Sequence, residues 1–245
     1  MNYDDVVLGR RSIRGYKSDP VPRPLIEEII GLATRSPSSM NTQPWHFYVV
    51  TGEPLDRIRR GNIERMTAGV PQSREFRTGS AFGGMHRERQ VGVAKQLFAA
   101  MGIDRDNKPL RDDWVMRGFR QFDAPVCIIV AYDRVLDGSD DTPFDCGAVT
   151  TALVNAAWSR GLGCVINSQG IMQSPVVREH AGIADDHVIM KSVAVGWPDE
   201  TFPANGVVSQ RRPVSEAAVF VGFHKIYERR TAHRQSGNSR GRPKL

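Results

Sequence analysis

The first residues that could perform chemistry form a basic cluster near the start of the chain. Arg10-Arg11-Ser12-Ile13-Arg14 places three guanidinium groups and one hydroxyl within five residues. Guanidinium forks bind phosphates and polar ring edges through paired hydrogen bonds. An isolated cluster of this kind is usually a solvated charged surface. It therefore indicates a binding site only if another segment supports it.

A second polar segment, 36–47, provides that support. It reads S-P-S-S-M-N-T-Q-P-W-H-F and leads into a strand-like run of β-branched and aromatic residues. A loop so rich in hydroxyls and amides could hold a polar heterocycle. The alternative is a capped turn between a helix and a strand, in which serine and asparagine side chains bond the backbone.

Several familiar nucleotide and catalytic motifs are missing from the sequence. Gly161-Leu162-Gly163 lacks the third glycine of the dinucleotide fingerprint and follows a helical pattern instead of a strand. There is no phosphate-binding P-loop and no G-x-S-x-G elbow, and the six histidines show no H-E-x-x-H spacing. A Rossmann dehydrogenase, an NTPase, a hydrolase and a zinc enzyme therefore lose support, and we expect no metal.

Composition indicates one globular domain. Of the 245 residues, 40% are hydrophobic and 24% are charged, which is ordinary for a folded protein. No apolar run approaches the roughly 20 residues that a membrane helix needs. The three cysteines are widely separated and odd in number, which favours reduced thiols and a cytoplasmic location.

The net charge of +6 belongs to the end of the chain. Residues 225–245 hold seven basic residues and one acidic residue, so the remainder has 26 of each sign and sums to zero. The body has no overall field for nucleic acid. We expect 229–245 to be a disordered basic tail. Its R-G-R-P-K sequence resembles minor-groove DNA hooks, so a DNA-associated protein is an alternative, although such a tail more commonly aids solubility.

Hydrophobic periodicity predicts alternating helices and a few strands. The predicted helices cover 24–35, 54–65, 87–101, 110–120, 144–160 and 174–181. The predicted strands cover 46–51, 125–132, 165–166, 187–195 and 219–223. This order favours an α+β fold built around one sheet, with residues 1–228 as a single domain.

Two motifs resemble the flavin-dependent nitroreductase family: R-R-S-I-R-x-Y at 10–16 and S-P-S-S-x-N-x-Q-P-W-H-F at 36–47. Weaker matches follow in the same order at 117–120, 161–170 and 209–213. The resemblance implies an α/β/α sandwich with a mixed central sheet and helices on both faces. It also implies a homodimer that binds FMN at its interface, and a C-terminal segment that extends onto the partner subunit.

The resemblance assigns cofactor contacts by position. Near the phosphate and ribityl chain it places Arg10, Arg11, Ser12 and Arg211, with Ser209 where a lysine is frequent. Near the N1/O2 edge of the flavin it places Arg14 and Arg120, with Arg117 nearby. Along the ring it places Asn167, Ser168, Gln169 and Gly170, with the N–H groups of the last two near N5 and O4. From the other subunit it draws Pro37, Ser38, Ser39 and Asn41.

The implied activity is hydride transfer from NADH or NADPH through FMN to nitroaromatics or quinones, by ping-pong kinetics and without a catalytic side chain. A reductive dehalogenase of the same fold is the alternative. We interpret the long segment 63–117 as an inserted helical lid or channel, or else as a peripheral helical pair. Its arginines would suit a carboxylated substrate such as a nitrobenzoate; among them are Arg74, Arg77, Arg87 and Arg89.

Overall fold

The computed structural model describes residues 1–76 and 81–223 of the chain. Arg77 and the predicted basic tail at 229–245 lie outside the described residues. The chain divides into two units, 1–208 and 209–245. The first unit contains the sheet and seven of the helices, and each unit is described by itself.

A four-stranded sheet forms the centre of the first unit. Its strands are β1 (Trp45–Thr51), β2 (Val126–Asp133), β3 (Gly163–Asn167) and β4 (His187–Gly196), in the order β1-β2-β4-β3. Every neighbouring pair is antiparallel. Within the described ranges, the only parallel pairing is an isolated bridge between Ser12 and Cys164.

The strand directions correct one detail of the prediction, which was a mixed sheet. β2 and β3 run in the same direction, but β4 lies between them and pairs with both in the antiparallel sense. The connection from β2 to β3 therefore passes over one strand position, and no two named strands are parallel neighbours. The α+β class itself is confirmed.

Helices cover both faces of the sheet. They are α1 (Tyr3–Gly9), α2 (Arg23–Ala33), α3 (Gly52–Thr67), α4 (Gly84–Ala100), α5 (Lys108–Phe119), α6 (Asp141–Ser159) and α7 (Ser174–Ala181). Each helix predicted from periodicity is present within a few residues of its predicted ends. No described helix combines the length and the apolar character needed to cross a membrane.

Alternating side chains of β2 enter two separate cores. On one face Ile128 and Val130 pack with residues of α2 and the central helix α6. On the other face Cys127 and Ile129 pack with residues of α3 and α7. The period-two pattern of a strand thus produces the three-layer sandwich, because each face must be covered by a helical layer.

Segment 63–117 contains the end of α3, all of α4 and nearly all of α5. In α4 only Leu97 is fully buried, so most of this helix faces away from the main cores. That this segment is an insertion, and that it acts as a lid or channel, both stay predictions.

The described part of the second unit, residues 209–223, contains one helix, α8 (Val214–Ala217). The predicted strand at 219–223 is wrong: these residues form no strand, and Val219 and Phe220 are 91% and 64% exposed. A β-strand needs a neighbour for its backbone hydrogen bonds, and residues 209–223 contain no other strand to pair with.

Candidate active site

Three distant parts of the sequence meet around a cavity of about 350 Å³. One wall is Arg14 together with the end of β3 and the residues that follow it. The other wall comes from α4, α5 and the turn after α5. The lining residues are Arg14, Leu97, Trp114, Val115, Phe122, Val165, Ile166, Asn167, Ser168 and Gln169.

The basic cluster reaches this cavity because it runs beside β3. The N–H of Ile13 donates to the carbonyl of Cys164 at 3.0 Å, next to the bridge between Ser12 and Cys164. The approach is so close that a Cβ on Gly163 would lie 2.6 Å from Cγ1 of Ile13. Glycine at this position is therefore what allows the cluster to lie against the strand.

Arg14 is the one predicted arginine that lines the cavity. Its guanidinium is half-buried, and Nη1 donates to the carbonyl of Ser12 at 3.4 Å. Burial lowers the pKa of Arg14 from its ordinary value, while the nearby Tyr16 acts in the opposite direction. Across residues 1–76 and 81–223, no carboxylate lies within 4.0 Å of this guanidinium. Arg14 is thus a partly desolvated cation beside an open space.

Asn205 holds the basic cluster in place, and sequence reasoning missed it. Its buried Oδ1 accepts from the N–H groups of Arg14 and Gly15 at 2.7 and 3.1 Å. Its Nδ2 donates to the carbonyls of Gly15 and Asp199 at 2.7 and 2.8 Å. No motif surrounds this asparagine, so only the fold reveals its role.

The other polar members of the cluster, Arg10, Arg11 and Ser12, do not line the cavity. Arg11 donates from Nε to the carbonyl of Asn205 at 2.7 Å and lies over the ring of Trp158, 5.4 Å from its centroid. Arg10 is close enough to Cys164 to lower that thiol's pKa slightly against the larger effect of burial.

Arg117 and Arg120 are engaged with protein groups. Arg120 donates from Nε to Asp123 at 3.0 Å and lies 3.6 Å from Asp113. Arg117 lies 3.6 Å from Asp123, stacks over Phe202 and donates from Nη2 to the carbonyl of Arg14 at 3.1 Å. Neither lines the cavity, so in this structure they support its wall instead of facing its interior.

The segment after β3 is also internally bonded. The N–H of Gln169, predicted to face the flavin, donates to Oδ1 of Asn167 at 2.9 Å. Asn167 in turn donates from Nδ2 to the carbonyl of Gly118 at 2.6 Å. The carbonyl of Gly170 accepts from Asn62 at 2.8 Å. These bonds fix the segment along the cavity, while the approach of the Gln169 and Gly170 N–H groups to N5 and O4 of a flavin stays a prediction.

Among the described non-glycine residues, positive φ angles occur in two places: the turn directly after the predicted 117–120 segment, and the predicted 36–47 loop. Gln121, Phe122 and Asp123 have φ of 57°, 54° and 58°, and the other three described non-glycine residues with positive φ are Met40, Asn41 and Gln43. Each such residue costs roughly 1–2 kcal/mol. Strain of this kind persists where surrounding contacts impose it, commonly at functional sites.

The 36–47 loop is attached to the start of α6. The N–H and Oγ of Ser39 donate to Asp145 at 3.0 Å and Asp141 at 3.1 Å, and Oγ of Ser38 accepts from the N–H of Gln43 at 3.0 Å. The set expected from the other subunit does not line this chain's cavity; it consists of Pro37, Ser38, Ser39 and Asn41.

Lys191 is a second residue that the sequence did not single out. Its Nζ donates to Oγ of the cavity-lining Ser168 at 2.7 Å. Burial and the nearby charge of Arg74 lower its pKa. In the described part of the chain, neither Lys191 nor Arg74 has a carboxylate within ion-pair distance. Lys191 therefore places a half-buried cation next to a hydroxyl of the cavity wall, with the charge of Arg74 nearby.

Ser209 and Arg211 belong to the second unit. Nη1 of Arg211 donates to Oγ of Ser209 at 2.8 Å. Their contact with a phosphate remains a prediction.

The comparisons with known proteins decide the family. Residues 7–197 match the model of the nitroreductase family. The chain belongs to the nitroreductase family. It is 34% identical to a nitrobenzene nitroreductase of Ectopseudomonas oleovorans over 221 residues, which are 89% of this chain and 96% of that protein.

Two further relatives span nearly the whole nitroreductase chain. A 4-nitrobenzoate reductase of Nocardioides sp. is 30% identical over 223 residues, covering 89% of this chain and 90% of the relative. The crystal structure of the FMN and NADPH-dependent nitroreductase NfnB from Sphigopyxis sp. strain HMH superposes with a TM-score of 0.86 at 28% identity. It covers 91% of this chain and 100% of the other.

Proposed function

We propose that the protein is an FMN-dependent NAD(P)H nitroreductase that acts on small nitroaromatic compounds. The family supports this activity, and the similar NfnB structure is described as FMN and NADPH-dependent. The observation that carries the proposal is Arg14, a partly desolvated cation without a carboxylate partner in the described chain, beside the cavity along β3.

The cavity suits one side of a planar heterocycle with a polar edge. Leu97, Trp114 and Phe122 supply apolar surface, while Arg14 and Ser168 supply a cation and a hydroxyl. Bound FMN would supply the two-electron transfer between nicotinamide and acceptor. Leu97, Trp114 and Phe122 would hold its ring by apolar contact, and Arg14 and Ser168 would donate hydrogen bonds to its polar edge.

The residues of this chain have distinct tasks in the proposal. Arg14 stabilises negative charge at the pyrimidine edge, because a cation fixed in a site of low polarity interacts strongly with charge that develops there. Asn205 holds the N–H of Arg14, and Arg117 holds its carbonyl. The guanidinium is therefore aimed before any cofactor binds.

Both ends of the cofactor need residues beyond the cavity wall. We assign the phosphate to Arg10, Arg11, Ser12, Ser209 and Arg211. We further propose a homodimer in which the loop of Pro37, Ser38, Ser39 and Asn41 completes the partner's site. These four residues, three of them polar, are exposed or half-exposed and would gain contacts in that arrangement.

The proposed substrates include nitrobenzoates. Lys191 donates to the cavity-lining Ser168, and Arg74 lies close enough to lower the pKa of Lys191. A substrate carboxylate bound beside Ser168 would pair with the charge of Lys191. Leu97 of α4 and Trp114 of α5 would close the same cavity, which supports the lid interpretation of 63–117. A relative of similar length is named as a 4-nitrobenzoate reductase.

The activity is tested by anaerobic stopped-flow mixing of the purified yellow protein with NADH and, separately, NADPH. We expect bleaching of the flavin absorbance by at least one donor, and recovery of colour when nitrobenzene is added. Parallel lines in double-reciprocal plots would support ping-pong kinetics. A colourless protein that stays colourless with added FMN would refute the proposal.

The substrate class is tested with nitrobenzene and 4-nitrobenzoate. Lys191→Met should raise KM for 4-nitrobenzoate roughly 10-fold, the usual value of one charged hydrogen bond, and leave nitrobenzene unchanged. Lys108→Met removes an exposed lysine paired with Asp112 and serves as the matched control. An equal loss with both substrates would show that Lys191 does not select the carboxylate.

A further inference from the structure

Three side chains that can bind a metal converge where the ends of three neighbouring strands meet, outside the cavity. His46 lies on β1, Asp133 ends β2 and His187 begins β4. His187 pairs directly with Asp133, and His46 pairs with Ala131 on the other side of β2. The cluster is assembled by strand register from residues up to 141 positions apart (46 to 187), so the motif search that disfavoured a zinc enzyme could not detect it.

The ligand atoms have the spacing of a metal site. Nε2 of His46 lies 3.0 Å and Nε2 of His187 lies 3.5 Å from Oδ1 of Asp133, and all three atoms are within 4.8 Å of one another. Ligands about 2.0–2.1 Å from a tetrahedral zinc ion lie roughly 3.3–3.5 Å apart. We propose that His46, Asp133 and His187 bind one divalent transition-metal ion, with Zn²⁺ as its representative.

Access and charge are compatible with an ion. The side chains of His46 and Asp133 are 38% and 44% exposed, and that of His187 is 15% exposed. Two arginines lie nearby, but both are already bonded. Arg134 and Arg178 donate to the carbonyl of His187 at 3.1 and 2.8 Å, and both pair with Glu75.

Tyr48 supports the imidazole of His187. Its hydroxyl lies 2.6 Å from Nδ1 of His187. When Nδ1 carries the proton and donates to Tyr48, Nε2 presents a lone pair towards Asp133, the tautomer that a metal requires. Partners of this kind on the distal ring nitrogen commonly change metal affinity by about 10–100-fold.

Metal binding requires one movement in the cluster. The two imidazoles are stacked with centroids 3.8 Å apart and planes inclined by 19°. Nearly parallel rings cannot both direct a lone pair at one ion, so one ring must turn. His46 is the more exposed ring, and His187 is held by Tyr48, so His46 turns. Asp186, whose carboxylate is 3.9 Å from Nε2 of His187, or a water molecule can complete the coordination.

The ligand set predicts which metals bind. Two imidazoles with one carboxylate favour Zn²⁺, Ni²⁺ or Cu²⁺, whereas Mg²⁺ and Ca²⁺ prefer sites made entirely of oxygen. All three cysteines are buried in the cores, so their thiols do not compete for an added ion in the folded protein.

Isothermal titration of the untagged, full-length protein as purified tests the site. We expect one saturable Zn²⁺ site per chain and no saturation with Mg²⁺. His187→Asn and Asp133→Asn should weaken Zn²⁺ binding at least about 10-fold, and Tyr48→Phe should weaken it by a similar factor or less. His180→Asn, on α7, is the matched control and should bind as the parent does.

Measurements on the same variants show whether a loss of Zn²⁺ binding comes from a loss of folding. Far-ultraviolet circular dichroism and the unfolding midpoint without metal verify that each variant folds, and Zn²⁺ should raise the midpoint of the parent but not of the His46→Asn/His187→Asn double variant. Unchanged Zn²⁺ binding in that double variant, or no saturable binding by the parent, would overturn the proposal. Because Zn²⁺ binding is measured without turnover, either result is independent of the nitroreductase activity.

Discussion

Gly170 and Gln121 are packed so tightly that a Cβ on Gly170 would lie 1.8 Å from Nε2 of Gln121. Gln121 is buried and begins the left-handed turn after α5. Its Oε1 accepts from Nδ2 of Asn167 at 3.1 Å and from Oγ of Ser192 at 3.2 Å. The turn after α5 and the segment after β3 are thus locked together behind the cavity.

Gly170→Ala should destabilise the fold by roughly 1–3 kcal/mol, because the added methyl displaces a buried amide that has no free volume. Urea unfolding measures the change, and flavin content measures its effect on the site. Gly92→Ala is the matched control, since nothing lies within 4 Å of a Cβ at that position in α4. It should be neutral or stabilising by about 0.5–1 kcal/mol. Equal effects of the two substitutions would contradict the packing argument.

Asn205→Ala should lower stability by at least about 2 kcal/mol, since it leaves the N–H groups of Arg14 and Gly15 without their acceptor. Asn205→Asp keeps that acceptor but cannot donate to Gly15 and Asp199, so it should retain more FMN affinity than the alanine variant. Fluorescence titration with FMN ranks the variants. Asn2→Ala, which removes one helix cap in α1, should lose stability without losing FMN affinity.

Much of the fold could be predicted from the sequence because local periodicity was strong. The small apolar residues of α6 predicted a central helix, and Leu153 and Val149 are fully buried there. The run Ile128-Ile129-Val130 predicted a strand buried on both faces, as observed. The apolar end at 219–223 failed because local composition cannot show whether a neighbouring strand exists.

The candidate site was predictable only in part. Family motifs led to Arg14 and to segment 167–170, and the structure places Arg14 and residues 167–169 around one cavity. Asn205, Gln121 and Lys191 have no local signal. The hydrogen bonds that give them their roles reach residues 190, 71 and 23 positions away, respectively. Charge alone also could not show that Arg120 is already paired with Asp113 and Asp123.

The three cysteines should be unreactive in the native protein. Burial raises the pKa of Cys127, Cys146 and Cys164 to about 12 from an ordinary value of 9.0. A disulfide reagent at pH 8 should therefore modify no thiol in the native protein. After unfolding in urea it should modify all three. The thiols lose their protons at a higher pH in the folded state than in the unfolded state. The stability that depends on protonated thiols is therefore complete below pH 9 and is lost as the pH rises towards 12. Labelling of the native protein at pH 8 would contradict the described burial.

Arg14 and Arg120 offer the sharpest test of the cofactor site, because both were expected at the same flavin edge. Arg14 lines the cavity without an acidic partner in the described ranges, while Arg120 is held by two aspartates. Arg14→Met should therefore weaken FMN binding by roughly 10–100-fold, the value of a charged hydrogen bond, and lower the flavin's midpoint potential. Arg14→Lys should recover part of both losses, since it restores charge without the planar fork.

Arg120→Met is the matched comparison, because it removes an equally long cation from the same neighbourhood. It should lower the unfolding free energy, since it leaves Asp113 and Asp123 without their partner. It should change the midpoint potential less than Arg14→Met does. Potentiometric titration of both variants separates the two roles. A larger fall in potential for Arg120→Met than for Arg14→Met would mean that Arg120 leaves its aspartates and turns to the flavin when the cofactor binds.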